Sequence, residues 1–175
     1  MSVARRFIAG LVGKCTPRRV VTDEPMANTY TSLNYHLVFS TKNREPWLIE
    51  AVCARLWPYL GGIARENRMK ALEIGGVADH VHILVSVPAT MALSNAVQLI
   101  KGGSSHWIKE SFPNMAAFAW QDGYGAFSVS ESQLDPVRDY IRQQPKHHRT
   151  TTFAEEYKAF FERHRIEFDE RYLFG

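Results

Sequence analysis

The sequence predicts an α+β fold of the ferredoxin-like kind, βαββαβ: an antiparallel sheet with helices on one face, followed by further C-terminal helices. Three observations predict it. Apolar patterns of strand and helix type follow one another in the order strand, helix, strand, strand, helix, strand. Only Ala78-Asp79 separates the second and third strands, as in an antiparallel hairpin. Each helical segment between strands carries one apolar stripe, which suits a helix lying on a sheet.

Taken in order, Ser32 to Thr41 alternates and is rich in β-formers, giving a first strand broken by Asn43, Arg44 and Pro46. Leu48, Val52, Leu56, Leu60 and Ile63 then recur at helical spacing, so Trp47 to Asn67 is a helix with Pro58 as a kink or break and Gly61-Gly62 a weak point. Ala71 to Val77 is the second strand, and Asp79 to Val85 the third, ended by Pro88. Leu93, Ala96, Val97, Leu99, Ile100, Trp107 and Ile108 mark a second helix reaching Phe112-Pro113. Gly125 to Ser130 is the fourth strand. Ser132 to Pro136 reads as a helix cap with Pro in the first turn, opening a helix through Tyr140 to about Gln144, where Pro145 stops it. A last helix runs from Phe153 to His164.

At 175 residues the chain is one domain of ordinary size, able to bury roughly 70% of its unfolded surface. No run of 18 apolar residues occurs, so no membrane span is expected. Residues 1–25 hold five basic and two acidic side chains, which accounts for the whole net charge of +3. The body is therefore neutral, and any phosphate-binding surface in it must come from clustering. Residues 1–28 are expected to form a poorly ordered basic arm, or an artefact if Met26 is the true start; residues 29–175 form the functional domain. Cys15 and Cys53 fit no Cys-x-x-Cys spacing, which speaks for a reducing cytoplasm.

The chemistry centres on His80-Val81-His82. Residues two apart on a strand share a face, so both imidazoles point the same way and make half a metal site; two structural histidines on a half-exposed strand are the plain alternative. Tyr140 and Gln144 are four apart, on one face of the third helix. Tyrosine can form a covalent intermediate, and the glutamine carbonyl is a hard ligand suited to Mg²⁺ or Mn²⁺. The alternative is an aromatic packing its helix on the sheet beside a solvated glutamine.

His80-Val81-His82 followed by Tyr140-Ile141-Arg142-Gln143-Gln144 resembles the HUH single-tyrosine transposases of bacterial insertion sequences, relatives of the REP-associated tyrosine transposases. The resemblance runs from about Tyr30 to Gly175. It includes Tyr35-His36-Leu37-Val38-Phe39-Ser40-Thr41-Lys42, Trp120-Gln121, Gly123-Tyr124-Gly125, His147-His148 and Asp169-Glu170-Arg171-Tyr172-Leu173. It implies that His80, His82 and Gln144 hold a divalent metal, Mg²⁺ or Mn²⁺, and that Tyr140 is the nucleophile. Cleavage and rejoining of hairpin-bearing single-stranded DNA through a 5′-phosphotyrosine linkage would follow, in a bacterial cytoplasmic homodimer joined through sheet edges. The rivals are a domesticated hairpin-DNA-binding protein without strand transfer, and a metal phosphoesterase that uses water.

Further residues invite DNA contact. Lys101-Gly102-Gly103-Ser104-Ser105 is not a Walker motif, but it places Lys101 beside a glycine pair whose helical context suggests close packing or backbone contact. Arg142, Lys146, His147, His148 and Arg149 make a basic cluster just past the tyrosine, either a phosphate-binding face or a solvated helix end. Trp107 is read as core. Trp120 and Tyr124 are left between core packing and base stacking. Asp79 faces away from the histidines by alternation, as an orienting group and not a ligand.

Overall fold

A computed structural model describes residues 30–169. The basic arm expected at 1–28 and the end of the Asp169–Leu173 motif lie outside them. Strands β1 (Asn34–Ser40), β2 (Lys70–Val77), β3 (His80–Ser86) and β4 (Gly125–Val129) form one sheet in the order β2-β3-β1-β4. Every neighbouring pair is antiparallel, and Ala78-Asp79 closes the β2–β3 hairpin with Val77 opposite His80. Helices α1 (Glu50–Glu66) and α2 (Leu93–Ser111) complete the ferredoxin-like βαββαβ order.

Strand alternation divides the sheet into two working faces. Leu37 and Phe39 of β1 and Val81, Ile83 and Val85 of β3 join Leu56, Leu60, Ile63, Val97 and Ile100 in the main core beneath α1 and α2. The opposite face carries His36 and Val38 from β1 and His80, His82 and Leu84 from β3, all buried. It is covered by α3 (Leu134–Arg142), the single turn α4 (Gln144–His147) and α5 (Phe153–Arg163). The histidine strand is therefore buried on both faces, and not half-exposed. Among the described residues no helix is long and apolar enough to cross a membrane.

Several local expectations change. Pro58 does not end α1, which runs through it as one 17-residue helix. Proline's missing N–H leaves the Ala54 carbonyl without its helical donor, and Ala54 and Pro58 are both exposed, where water can serve that carbonyl. Lys101-Gly102-Gly103 is no loop but lies inside α2, where Gly103 meets Ile63 of α1 at the helix–helix contact. Ser132 does not cap α3; a 3-10 turn over Glu131–Gln133 leads into the helix, and Pro136 falls in its first turn. Pro145 begins a new turn after a break at Gln143.

Two glycines let the second helical layer sit close. A Cβ on Gly75 of β2 would lie 2.9 Å from both the side chain and the carbonyl oxygen of Ile141, so α3 rests on bare backbone. A Cβ on Gly125 of β4 would come 2.9 Å from Tyr157 and from Phe127, where α5 crosses. Thr152 and Glu155 begin α5 with a reciprocal capping box.

Gly75→Ala should therefore destabilise the protein by about 1–3 kcal/mol through overpacking against α3. Gly61→Ala, in α1 with open space around it, should stabilise by about 0.5–1 kcal/mol through helix propensity. Urea unfolding midpoints for the two variants test the pair; equal shifts would contradict the packing argument.

Candidate functional site

Between the paths of α3 and α5, above the two central strands, polar side chains from both layers meet. β3 contributes His80 and His82, β1 contributes His36, and α3 contributes Tyr140. Gln144 comes from α4, His148 follows it, and Glu156 comes from the first turn of α5. Burying so many polar groups is tolerable only if each finds a partner.

The partners are specific. His80 Nδ1–H donates to Asp79 Oδ1 at 2.7 Å, and Asp79 Oδ2 accepts from Nε and Nη2 of Arg44, each at 3.1 Å. Asp79 thus orients His80 and is not itself in the cluster. Phe153 stacks on the His80 ring, centroids 4.3 Å apart. His82 Nδ1 shares a hydrogen with His36 Nε2 at 2.9 Å. His148 Nδ1–H donates to the Thr151 carbonyl at 2.8 Å. In each case the outer ring nitrogen is committed, and Nε2 of His80, His82 and His148 faces inward.

Glu156 is the hub they face. Its Oε2 stands 3.2 Å from His148 Nε2, 3.4 Å from His82 Nε2 and 3.6 Å from His80 Nε2. Its Oε1 accepts the Tyr140 hydroxyl and, at 2.8 Å, the Gln144 amide Nε2–H. That amide orientation turns Gln144 Oε1 toward His80 Nε2, 3.3 Å away. His82 Nε2 is buried without a hydrogen bond, as is His147 Nε2. One ligand atom from each of His80, His82, His148 and Glu156 lies within 4.8 Å of the others. A buried orphan nitrogen amid a carboxylate and further imidazoles is the donor set that a divalent cation fits.

The electrostatics follow from burial and from Glu156. Burial lowers the pKa of His82 to about 4, with Glu156 opposing and His80 and His148 adding to the fall. His36 is held well below the ordinary value, first by burial and then by His82. Burial and then the Glu156 hydrogen bond and charge raise Tyr140. Burial alone would raise Glu156, but the His148 hydrogen bond, the nearby His82 ring and the Tyr140 hydrogen bond hold it far below the usual carboxylate range. His148 is raised: burial opposes protonation but the Glu156 hydrogen bond and charge outweigh it.

The structure brings Tyr140, His80, His82 and Gln144 together within one chain, although a helix break separates the tyrosine from the glutamine. It distributes the basic cluster differently from a single surface. His148 is turned inward, and His147 packs beside Tyr140 with ring centroids 5.4 Å apart. Arg142 pairs with Glu73 of β2 at 2.8 Å, while Lys146 and Arg149 are exposed. Lys101 donates to the backbone carbonyls of Gln121, Asp122 and Gly123, organising a loop from α2. Trp120 is core, its Nε1–H bonded to Ser104 at 3.0 Å, whereas Trp107 is half-buried against Tyr59 and Tyr124 is exposed.

Sequence reasoning missed Glu156, and gave His36 and His148 no place in the cluster. His36 shares the period-2 face logic of the histidine pair, one strand over. Glu156 follows Glu155 in a first helical turn, where acidic residues ordinarily serve the helix dipole.

Residues 29–144 match the family model described as "Transposase IS200 like". The chain is 28% identical over 117 residues to the ISDra2 transposase TnpA of Deinococcus radiodurans, covering 64% of this chain and 84% of that protein. It is 26% identical over 127 residues to the transposase for insertion sequence element IS200 of Salmonella typhimurium, covering 70% and 83%. Among solved structures, a candidate transposase of Deinococcus radiodurans superposes with a TM-score of 0.57 at 25% identity, covering 69% of this chain and 97% of that one. A REP-associated tyrosine transposase bound to a REP hairpin shares the fold with a TM-score of 0.53 at 16% identity, covering 71% and 74%.

The depressed His82 carries a pH signature. An unfolded chain protonates this histidine below about 6.5, while the folded one resists until about 4. The unfolded state binds more protons in that window, so stability should fall as pH drops through it, by about 3 kcal/mol from His82. His36 acts in the same direction. His148, raised by Glu156, works the other way: the folded chain holds this proton to higher pH than the unfolded one, so it offsets part of the loss as pH drops from 7, and Glu156 adds its own loss only below about 4.5. Urea unfolding at pH 7 and pH 4.5 reads the difference; a flat profile would contradict the buried neutral imidazoles.

Proposed function

Because this chain belongs to the IS200-like transposase family, and is by that membership a DNA transposase, we propose that it cleaves and rejoins single-stranded DNA at hairpin-bearing element ends through a 5′-phosphotyrosine intermediate. The observation that carries the reading is the convergence of the Tyr140 hydroxyl, His80, His82 and Gln144 on one buried point. The REP hairpin held by a protein of the same fold supports a hairpin substrate. The catalytic unit is residues 29–175, acting in the bacterial cytoplasm as a homodimer joined through the sheet edges, of which β2 and β4 are the two.

In the reaction the Tyr140 hydroxyl gives up its proton as its oxygen attacks a backbone phosphorus, the phosphorus–O3′ bond breaks, and the departing 3′ oxygen takes up a proton in turn. The DNA is left with its 5′ phosphate on Tyr140. Attack by another 3′-hydroxyl reverses these steps and rejoins the strand. Glu156 Oε1 fixes the direction of the Tyr140 hydroxyl, and Asp79 and His36 fix the rings of His80 and His82. His80, His82 and Gln144 would hold a divalent cation, Mg²⁺ or Mn²⁺, which would supply Lewis-acid polarisation of the phosphodiester and offset the Glu156 charge that keeps the proton on Tyr140. Arg142, Lys146 and Arg149 flank the nucleophile and position the strand through its phosphates without reading sequence.

Incubation with a hairpin oligonucleotide and Mn²⁺, followed by a denaturing gel, should show a covalent protein–DNA adduct. Tyr140→Phe should abolish adduct and cleavage while leaving hairpin binding in a mobility shift unchanged. Free 5′-phosphate ends without an adduct would establish a phosphoesterase using water. Tight hairpin binding with no cleavage would establish a domesticated binding protein.

A further inference from the structure

We propose that the metal of this chain is held by His148 and Glu156 together with His80 and His82, a set of three imidazoles and one carboxylate, and that it selects Mn²⁺ over Mg²⁺. The inference rests on the metal-dependent reading above and enlarges its ligand set.

Hydrogen bookkeeping at the cluster carries it. His80 gives its Nδ1–H to the Asp79 carboxylate, and His148 gives its own to the Thr151 carbonyl. With Nδ1 of each ring committed, Nε2 is the atom turned inward; in His148 it donates to Glu156 Oε2 at 3.2 Å, a hydrogen whose place a cation can take. His82 joins them when its Nδ1–H is the donor to His36, and its Nε2 makes no hydrogen bond. The three Nε2 atoms face Glu156 Oε2 at 3.2–3.6 Å, itself an acceptor. Gln144 turns its carbonyl oxygen to the same place while its amide hydrogens serve Glu156 Oε1. Three ring nitrogens, Glu156 Oε2 and Gln144 Oε1 are thus turned to one point. A cation satisfies all of them at once.

The backing partners differ for each ring: a carboxylate from the β2–β3 turn, a histidine from β1 and a backbone carbonyl before α5. Metal-ligating histidines are held this way, through the nitrogen that does not touch the metal. Glu156 divides its oxygens, Oε2 toward the imidazoles and Oε1 toward the Tyr140 hydroxyl. One carboxylate therefore couples the ligand set to the nucleophile. Three imidazoles disfavour Mg²⁺, which takes oxygen ligands and keeps its water, and accept Mn²⁺ or later first-row ions.

The test is direct binding of Mn²⁺ to the full chain, read by the loss of the free-ion electron paramagnetic resonance signal, with Mg²⁺ as competitor. His148→Ala and Glu156→Gln should each weaken Mn²⁺ binding about tenfold or more, the scale on which lost metal-site contacts are felt. Circular dichroism confirms that each variant is folded, and the near-isosteric Glu156→Gln keeps the cavity filled. Wild-type Mn²⁺ affinity in folded His148→Ala and Glu156→Gln, with loss only in His80→Ala and His82→Ala, would overturn the enlarged set and leave the smaller site standing. Displacement of Mn²⁺ by an equal concentration of Mg²⁺ would overturn the selectivity. A wild-type chain that binds no divalent ion, with or without hairpin DNA, would overturn the metal-dependent reading itself.

Discussion

Taking a carboxylate out of water costs several kcal/mol unless hydrogen bonds and nearby charge replace its hydration. Glu156 is almost fully buried, and the second layer of the protein is arranged around that fact. Tyr140 and Gln144 serve one oxygen, and His148 and the strand histidines surround the other. Those partners come from β3, α3, α4 and the segment before α5, so satisfying one side chain fixes how four pieces of chain meet. The helices cannot slide along the sheet without leaving that charge alone.

The sheet makes the convergence possible by being indifferent to it. Its other face is an ordinary apolar core beneath α1 and α2, with no polar obligations near the cluster. That core holds β1 and β3 rigidly side by side, which places His36 diagonally to His82. Gly75 and Gly125, on the two edge strands, then lower α3 and α5 onto the opposite face. A side chain at either glycine would lift one helix away from the point where its polar residue is needed.

What the sequence made legible is what a short period can carry. His80 and His82 were readable because strand alternation acts over two residues, and Tyr140 with Gln144 because a helical turn acts over four. The fold order was readable for the same reason, one apolar period after another. Glu156 was not, since its strand partners lie 76 and 74 residues back and its nearer ones, Tyr140, Gln144 and His148, are on other elements that no single period links to it. Lys101 misled in the other direction. Of the glycine pair whose helical context suggested close packing, Gly103 serves contact with α1, while the lysine read as a DNA contact serves three carbonyls from a loop 20 residues on. The histidines after Tyr140 read as one cationic surface; the turn of α4 instead carries His148 inward and leaves Lys146 and Arg149 outside.

The outer edge of the cluster shows how charge is kept local. Asn43 and Arg44 both adopt left-handed backbone conformations, φ 55° and 58°, at a cost of about 1–2 kcal/mol each. That turn aims Arg44 at Asp79 and sets its guanidinium over Phe153, which stacks on His80. Burial would raise the Asp79 carboxyl, but the His80 hydrogen bond and the Arg44 guanidinium hold it ionised below the ordinary range. Asp79 and Arg44 then cancel, so Glu156 is the one uncompensated carboxylate facing the inner cluster. The strained turn is thus part of the electrostatics: with Asp79 unpaired, a second negative charge would stand behind His80, on the far side of the ring from Glu156.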